Sequence, residues 1–359
     1  MEQSRLDSLR LIRSPQIGPV TYRQLIGRFG SATRALAAIP DLAARGGGKA
    51  PRLADMALVL REVERTQALG ASYLFLGEAD YPALLAEMET APPALIYRGA
   101  LSLAKRRCVG MVGARNASAA ACRFARMLAQ GLGAERVSVV SGLARGIDTA
   151  AHQGALEGGT IGVIASGIDI AYPPENGALQ EQVAAQGLLL AEQPPGTQPL
   201  ARHFPSRNRI IAGLSVGTVV VEAAPKSGSL ITARLAGEAG RDVMAVPGSP
   251  LDPRAQGCNQ LIREGAILVQ SVADILEAVG PIHGAMLRQP VDPFIPEMAD
   301  ASDADRRRII DLLGPVPVPV DELIRQSGIP PALVQTVLLE LELAGRAERH
   351  AGGRVSLFG

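Results

Sequence analysis

The chain has 359 residues, of which 47% are hydrophobic and 20% are charged, a composition that excludes a disordered protein. Its net charge is only +1, so a surface that binds nucleic acid has to be a local basic patch and not the whole molecule. Aromatic residues make up 3%, which excludes a site built from rows of stacking rings. At this length two or three domains are expected.

Residues 1–75 are predicted to form a helical domain. Leu6, Leu9 and Ile12 recur at helical spacing, and the segments TYRQLIGRFG and ADMALVLREVERTQALG keep the same period. Between the first helices, the Gly-Pro turn of IGPVTYRQLI resembles a helix-hairpin-helix element, whose backbone amides can bind a DNA phosphate. A plain turn between two helices is the alternative, and the short match favours it.

Residues 77–280 are predicted to form an α/β domain with a doubly wound, mostly parallel sheet. Short Val/Ile-rich runs without alternation indicate strands buried on both faces, and the helical segments between them indicate parallel βαβ units. The predicted strands lie in RCVGMVGAR, VSVVSGLA, TIGVIASG, LLLAEQ, VGTVVVEAA, DVMAVPGS and AILVQS.

A proline-rich linker is predicted over residues 281–302, and a winged helix over residues 303–359. The tail contains three helical segments, followed by RAERHAGGRVSLF, which is typical of a hairpin turned by Gly352 and Gly353.

Three predicted strands end in glycine-containing turns that precede helices. Such turns lie at the carboxyl edge of a parallel sheet, where the backbone and a helix N-terminus can bind an anion. The candidate residues are Gly113 and Arg115, then Ser141, Gly142 and Arg145, then Lys226, Ser227, Gly228 and Ser229. The first turn is not GxGxxG, and no acidic residue ends the next strand, which disfavours a dinucleotide cofactor. Asp148 is interpreted as a helix cap.

The segment HFPSRNR, from His203 to Arg209, is interpreted as a basic loop. A phenylalanine beside phosphate-binding cations suits a flipped or single-stranded nucleotide, although Phe204 could instead anchor the loop in the core. Residues 201–241 contain six basic residues and two acidic ones, a net charge of +4. The candidates here are Arg202, Phe204, Arg207, Asn208 and Arg209.

On seven segments the chain resembles the DNA-processing protein A (DprA/Smf) family, in the same order. They are GAR at 113, SGLARGID at 141, YPPEN at 172, FPSRNRIIAGLS at 204, EAAPKSGSLITARLA at 222, VPGS at 246 and GCNQLIREGA at 257. The resemblance implies an extended Rossmann-like domain, an N-terminal domain like a sterile alpha motif, and a C-terminal winged helix.

The resemblance also implies a function. Members of the family bind single-stranded DNA, form homodimers, protect incoming DNA during natural transformation, and load RecA recombinase for recombination. The resemblance implies that the chain is not an enzyme. It places the following residues at the DNA pocket: Gly113, Arg115, Ser141, Arg145, Phe204, Arg207, Asn208, Arg209 and Lys226. The family's basic position before the FPxRNR segment is Arg202 here or is absent.

Two other functions are considered. A nucleotide hydrolase of the phosphoribohydrolase type has a similar fold and carries PGGxGT before a catalytic glutamate. Here the double glycine is missing, although Gly217, Thr218 and Glu222 remain. A sequence-specific transcription factor is disfavoured, because the third helical segment of the tail contains no Lys or Arg.

No metal, cofactor or membrane contact is expected. The four histidines lie on separate elements, and the three cysteines form no CxxC pair, as is typical of free thiols in a reducing cytosol. Charges occupy the N-terminus where a signal peptide needs an apolar core, and the apolar stretch 210–221 is too short to span a bilayer. A cytoplasmic location is therefore predicted.

Overall fold

The computed structural model of the chain describes residues 1–280, 300–350 and 352–358. These residues form two compact units. One unit contains Met1–Arg61 together with the C-terminal region, and the other begins at Glu62 and contains the central sheet. Most of the predicted linker 281–302 lies outside the described residues.

Within the described residues, nine strands form the central sheet and three form a smaller one. The nine are β1 (Ser72–Phe75), β2 (Ala94–Gly99), β3 (Cys108–Val112), β4 (Ser138–Ser141), β5 (Thr160–Gly167), β6 (Leu188–Gln193), β7 (Gly217–Val220), β8 (Asp242–Ala245) and β9 (Ile267–Leu268). The other three are β10 (Val318–Pro319), β11 (Ala347–His350) and β12 (Arg354–Leu357).

Fifteen α-helices are found in the same described ranges. They are α1 (Gln3–Ile12), α2 (Pro19–Phe29), α3 (Ala32–Arg45), α4 (Met56–Ala68), α5 (Ala83–Ala86), α6 (Ala119–Ala134), α7 (Ile147–Ala155), α8 (Gly177–Gln186), α9 (His203–Leu214), α10 (Gly228–Glu238), α11 (Gln256–Arg263), α12 (Val272–Ala278), α13 (Asp303–Asp311), α14 (Val320–Ser327) and α15 (Pro331–Leu343).

The central sheet has the order β1-β2-β6-β5-β4-β3-β7-β8-β9. In this spatial order, each strand from β6 through β5, β4, β3, β7 and β8 to β9 is parallel to its neighbour, as the Val/Ile-rich runs predicted. On β3, Val109 and Met111 enter the core on one face of the sheet, whereas Cys108 and Val112 enter the core on the other. Apolar residues on both faces require helices on both sides, so the predicted doubly wound class is confirmed.

The edge formed by β1 and β2 was not predicted. β1 pairs antiparallel with β2, and β2 pairs antiparallel with β6. Residues 72–75 therefore belong to the sheet, although the sequence placed them in the helical range 1–75. The central domain accordingly starts before residue 77. Short strands of mixed polarity such as SYLF give little periodic signal.

The C-terminal region is a winged helix, as predicted. Helices α13, α14 and α15 pack around buried Val334, Leu338 and Leu341, and β11 pairs antiparallel with β12 to form the wing. Ser302 and Asp305 form a capping box at the start of α13. In the described part of the chain, no helix is both long and apolar enough to cross a membrane.

Candidate functional site

The candidate site lies where the strand order of the sheet reverses. From β3 the chain winds through β4 towards β6, and it later returns to the other side of β3 with β7. The turn after β3 carries Gly113 and Arg115, the turn after β4 carries Gly142 and Arg145, and the turn after β7 leads to Lys226. Parallel strands bring these three turns to one edge of the sheet, the usual ligand position of such folds.

Two adjoining cavities open at this edge. The larger, of about 660 Å³, lies towards the turn after β7 and is lined by Gly113, Asn208 and the residues from Lys226 to Ser229. The smaller, of about 260 Å³, lies towards the turn after β4 and is lined by Gly142, Arg145 and Tyr172. Both cavities are lined by Arg115, Asn116, Ala144, Phe204 and Arg207.

The segment from His203 to Arg209 is the start of helix α9, and the interpretation as a loop is wrong. Pro205 lies in the first turn of the helix, where an N–H group is not needed for a helical hydrogen bond. The ring of Phe204 is partly exposed and lies 5.6 Å from the ring of Tyr172. The guanidinium carbon of Arg115 lies 5.1 Å from the centre of the Phe204 ring. Phe204 thus faces the cavities.

Four basic side chains line the cavities, and their surroundings differ. Arg115 and Lys226 are exposed, and neither has an ion pair with any residue that the structure describes. Arg145 is also exposed but pairs with Glu175, which raises the pKa of the guanidinium. Arg207 is buried and donates to the carbonyl oxygen of Val163 at 3.0 Å. Arg115 and Lys226 are therefore the cations most available to a ligand.

Three other candidates lie outside both cavities. Arg209 points away from them and pairs with Glu192, while it also donates to the carbonyl oxygen of Thr90. Ser141 is fully buried, and its hydroxyl donates to the carbonyl oxygen of Met111 at 2.6 Å. Arg202 is exposed at the start of α9 but lines neither cavity. Arg209 and Ser141 therefore make contacts within the fold, away from both cavities.

The net charge of +4 over residues 201–241 overstates the charge of the site. Arg234 pairs with Glu238, and Arg241 pairs with Glu87, in addition to the pairing of Arg209. Of the six basic residues in this range, Arg207 and Lys226 alone line either of these two cavities. Arg115 and Arg145, from outside the range, supply the rest of the positive charge.

A buried group of titratable side chains lies beneath the cavities. Asp148 accepts from the backbone amides of Gly142 and Ala144 at 3.1 and 3.3 Å. It braces the turn after β4, so its interpretation as a helix cap is wrong; Gly146 is the N-cap residue of α7. Burial raises the pKa of Asp148, and the nearby Arg207 opposes this rise.

His152 is fully buried in the same group. Burial lowers its pKa to about 3, and the positive charge of Arg207 acts in the same direction. Its Nδ1 lies 2.7 Å from the hydroxyl oxygen of Thr160. His152 is therefore a neutral core residue beneath the site.

Two of the expected anion-binding helix starts are filled by the chain itself. The carboxylate of Glu222 accepts from the amide of Ser118 at 2.9 Å and from its hydroxyl at 2.8 Å, so the N-terminus of α6 is already capped. At the start of α10, the hydroxyl of Ser227 accepts from the amide of Ser229 at 3.4 Å. An anion at this edge would be held mainly by side chains such as those of Arg115 and Lys226.

The sequence interpretation missed several residues of the site. Tyr172, Pro173 and Pro174 line the smaller cavity, and Asn116 lines both cavities. Tyr172 is 44% exposed, so its ring is accessible at the mouth of the cavity that it lines. In the sequence, YPPEN marked only the family resemblance. Its tyrosine, one of five in the chain, is the signal that could have pointed to the site.

The buried cysteines lie in surroundings that suppress their reactivity. Burial raises the pKa of Cys108 and of Cys258 to about 12, so both thiols stay protonated and unreactive. Across the described ranges, no group of His, Cys, Asp or Glu has the geometry to hold a metal ion.

The fold and the site define a Rossmann-like protein with a basic cleft at the reversal point of its sheet, in a chain that also contains an N-terminal helical domain and a C-terminal winged helix. The family model of DNA recombination-mediator protein A matches residues 72–280. Models of the DprA-like N-terminal HHH domain and the DprA winged helix domain match residues 2–64 and 296–353. The chain belongs to the DprA/Smf family. The HHH match supports the helix-hairpin-helix interpretation of the first turn, against the plain turn.

Relatives in bacteria agree with this assignment. The chain is 33% identical to protein Smf of Synechocystis, over 94% of this chain and 95% of that protein. It is 51% identical to DNA processing protein DprA of Streptococcus pneumoniae, over 55% of this chain and 70% of that protein.

Two solved structures are similar to this chain. DprA from Streptococcus pneumoniae matches with a TM-score of 0.59 and 45% identity, over 62% of this chain and 78% of that chain. DprA from Helicobacter pylori, solved to examine its single-stranded DNA binding mode, matches with a TM-score of 0.53 and 27% identity, over 57% of this chain and 94% of that chain.

Proposed function

We propose that this chain binds single-stranded DNA in the two cavities at the carboxyl edge of β3, β4 and β7. The observation that carries the proposal is the position of Phe204, whose ring lies 5.6 Å from the ring of Tyr172 and 5.1 Å from the guanidinium carbon of Arg115. A partly exposed ring can stack on a base, while a cation beside it binds the adjacent phosphate. The DNA-binding relative from Helicobacter pylori shares the fold and supports the same ligand.

The cavities are suited to single strands and not to a duplex. They are small pockets of about 260 and 660 Å³ at the carboxyl edge of the sheet, the size of a pocket for single bases and not of a groove for a double helix. An unpaired base can turn out of its strand into such a pocket, whereas a paired base first has to be extruded from the duplex. The phosphate contacts carry no sequence information, so binding without sequence preference is expected.

The proposed site residues fall into two groups. Gly113, Gly142, Phe204, Arg207, Asn208, Gly228 and Ser229 shape the cavities, and Arg115, Arg145, Lys226 and Ser227 supply the groups that face phosphate. Arg202 remains a proposed outer contact.

We infer that the DNA-bound chain acts in the cytoplasm, protects incoming DNA and loads RecA during transformation and recombination. This part rests on family membership alone. It is tested by RecA-dependent strand exchange on DNA coated with single-strand-binding protein. The chain should raise the rate, and Arg115→Ala should abolish most of that gain. A rate that the wild-type chain leaves unchanged contradicts RecA loading.

Homodimer formation is part of the same proposal. At the edge of the central sheet, β9 exposes Ile267 and Leu268, at 38% and 42%. An exposed apolar edge strand is a ready surface for pairing with another copy.

We propose that the chain is not an enzyme. In the hydrolase alternative Glu222 would be catalytic, but its two carboxylate oxygens already accept hydrogen bonds from Ser118. Gly217 and Thr218 begin the buried strand β7 and form no loop that could hold a phosphate. Release of free base from nucleoside monophosphates incubated with the chain would contradict this part.

Phe204→Leu is expected to weaken binding to single-stranded DNA several-fold while the melting temperature stays near that of the wild type. Leucine keeps apolar volume but loses the flat ring, and stacking contributes about 1–3 kcal/mol per base. Binding is measured by fluorescence anisotropy of a labelled oligonucleotide, beside a thermal melt. If Phe204 only anchors α9, leucine will bind DNA as tightly as the wild type, and Phe204→Ala will lower the melting temperature.

A further inference from the structure

Helix α15 of the winged helix is buried on two sides. Val337 and Leu341 belong to the core of the winged helix itself. Leu339 and Leu343 belong instead to the core formed by helices α1, α2 and α3 of the N-terminal domain. In winged helices that read duplex DNA, the corresponding helix enters the major groove. Here the second side of that helix is occupied by protein.

Two glycines allow this close approach. They lie in the GGG segment that follows α3, which no part of the proposed function uses. A β-carbon on Gly46 would overlap the carbonyl oxygen of Glu340, and one on Gly48 would overlap the carbonyl oxygen of Ala344. The backbone of Gly46 is right-handed, with a φ of −69°, so another residue could adopt it. Contact with α15 is therefore what restricts this position to glycine.

Polar side chains fix how the two surfaces meet. The hydroxyl of Thr21 on α2 donates to Glu342 at 2.9 Å, and the guanidinium of Arg346 donates to the carbonyl oxygen of Gly46 at 3.0 Å. Glu342 also pairs with Arg349 on the wing. Buried polar groups cost free energy unless they are hydrogen-bonded, so these partners select one docking position.

The charge of α15 agrees with protein contact. The helix contains no Lys or Arg but carries Glu340 and Glu342, both buried. Binding to duplex DNA depends on neutralising phosphates, which a helix of this composition cannot do. We propose that α15 is a docking surface whose partner is the N-terminal helical domain of the same chain, and that the winged helix serves to hold that domain and not to read DNA.

The sharpest test compares two glycine-to-alanine changes in the full chain. Gly46→Ala places a β-carbon against α15, whereas Gly27→Ala on α2 places one in open space. Hydrogen exchange followed by mass spectrometry should show amide exchange in residues 32–45 and 331–343 at least about tenfold faster in Gly46→Ala than in the wild type. Gly27→Ala should exchange as slowly as the wild type in both segments. Unchanged or slower exchange in Gly46→Ala overturns the proposal, because alanine stabilises such a position when nothing opposes it.

A milder pair of variants covers the case in which Gly46→Ala fails to fold. Thr21→Val and Glu342→Gln each remove part of one contact across the interface. If the surfaces are docked, the increase in exchange for the double variant will differ from the product of the two single increases. If the increase in exchange for the double variant equals the product of the two single increases, docking is contradicted.

The same variants distinguish docking from masking of a DNA site. Under the proposal, Gly46→Ala, Thr21→Val and Glu342→Gln bind a 30-base-pair duplex as weakly as the wild type. A gain of tenfold or more in duplex affinity would mean that the contact covers a DNA-binding surface, and the proposal would be wrong.

Discussion

Arg115→Ala is expected to lower the affinity for single-stranded DNA about tenfold to a hundredfold while the fold stays intact. The guanidinium is exposed at the carboxyl end of β3, lines both cavities and stacks beside Phe204. Loss of a charge-assisted contact costs about 1.5–3 kcal/mol, which gives that range of affinity. The measurement is anisotropy with a labelled oligonucleotide at fixed salt.

Arg123→Ala is the matched control. Arg123 is an exposed arginine on α6 in the same unit, and it lines neither cavity. Its removal changes the net charge by the same amount, so it measures the non-specific electrostatic effect. Equal losses in the two variants would show that binding does not depend on the proposed site. A melting temperature that collapses in Arg115→Ala would make the residue structural.

Acidification is expected to destabilise the central unit through His152. The pKa of this buried imidazole is about 3 in the folded chain, against 6.5 for an ordinary histidine. Below pH 6.5 the unfolded chain gains a proton that the folded chain does not take up until about pH 3. Stability from this group is therefore complete well above pH 6.5 and falls as the pH is lowered, by about 2 kcal/mol between pH 7 and pH 5.

His152→Gln removes this titration while keeping a polar side chain near Thr160. The free energy of unfolding is measured with urea at pH 7 and pH 5 for both proteins. The wild type should lose about 2 kcal/mol more than the variant on acidification, even if the variant is less stable at pH 7. An identical pH dependence of the two proteins would show that His152 is not responsible.

The parallel part of the fold could be predicted because its strands are buried on both faces and so are apolar throughout. The runs around Val109, Val139 and Val219 carry that signal directly. The antiparallel edge could not, since β1 and β2 contain polar residues such as Ser72 and Arg98 and each pairs with a segment distant in sequence. Pairing between distant segments leaves no local period.

The site could be predicted by position but not by side-chain direction. The three turns converge as expected, because parallel strands end at one edge. Arg207 and Arg209 were both assigned to the pocket, yet residues two apart on a helix point in different directions. Arg207 faces the cavities and Arg209 reaches Glu192. Because this segment is a helix, Arg207 lines the cavities and Arg209 does not.

The central claim is tested most directly by a salt titration of the wild-type chain with a single-stranded oligonucleotide and with its duplex. Arg115 and Lys226, which have no ion pair among the described residues, predict a slope of log affinity against log salt of about −1.4 per chain. Arg145 adds about −0.7 if phosphate displaces Glu175. The account predicts this slope, with tighter binding to the single strand than to the duplex. A flat salt profile, or tighter binding to the duplex, would contradict it.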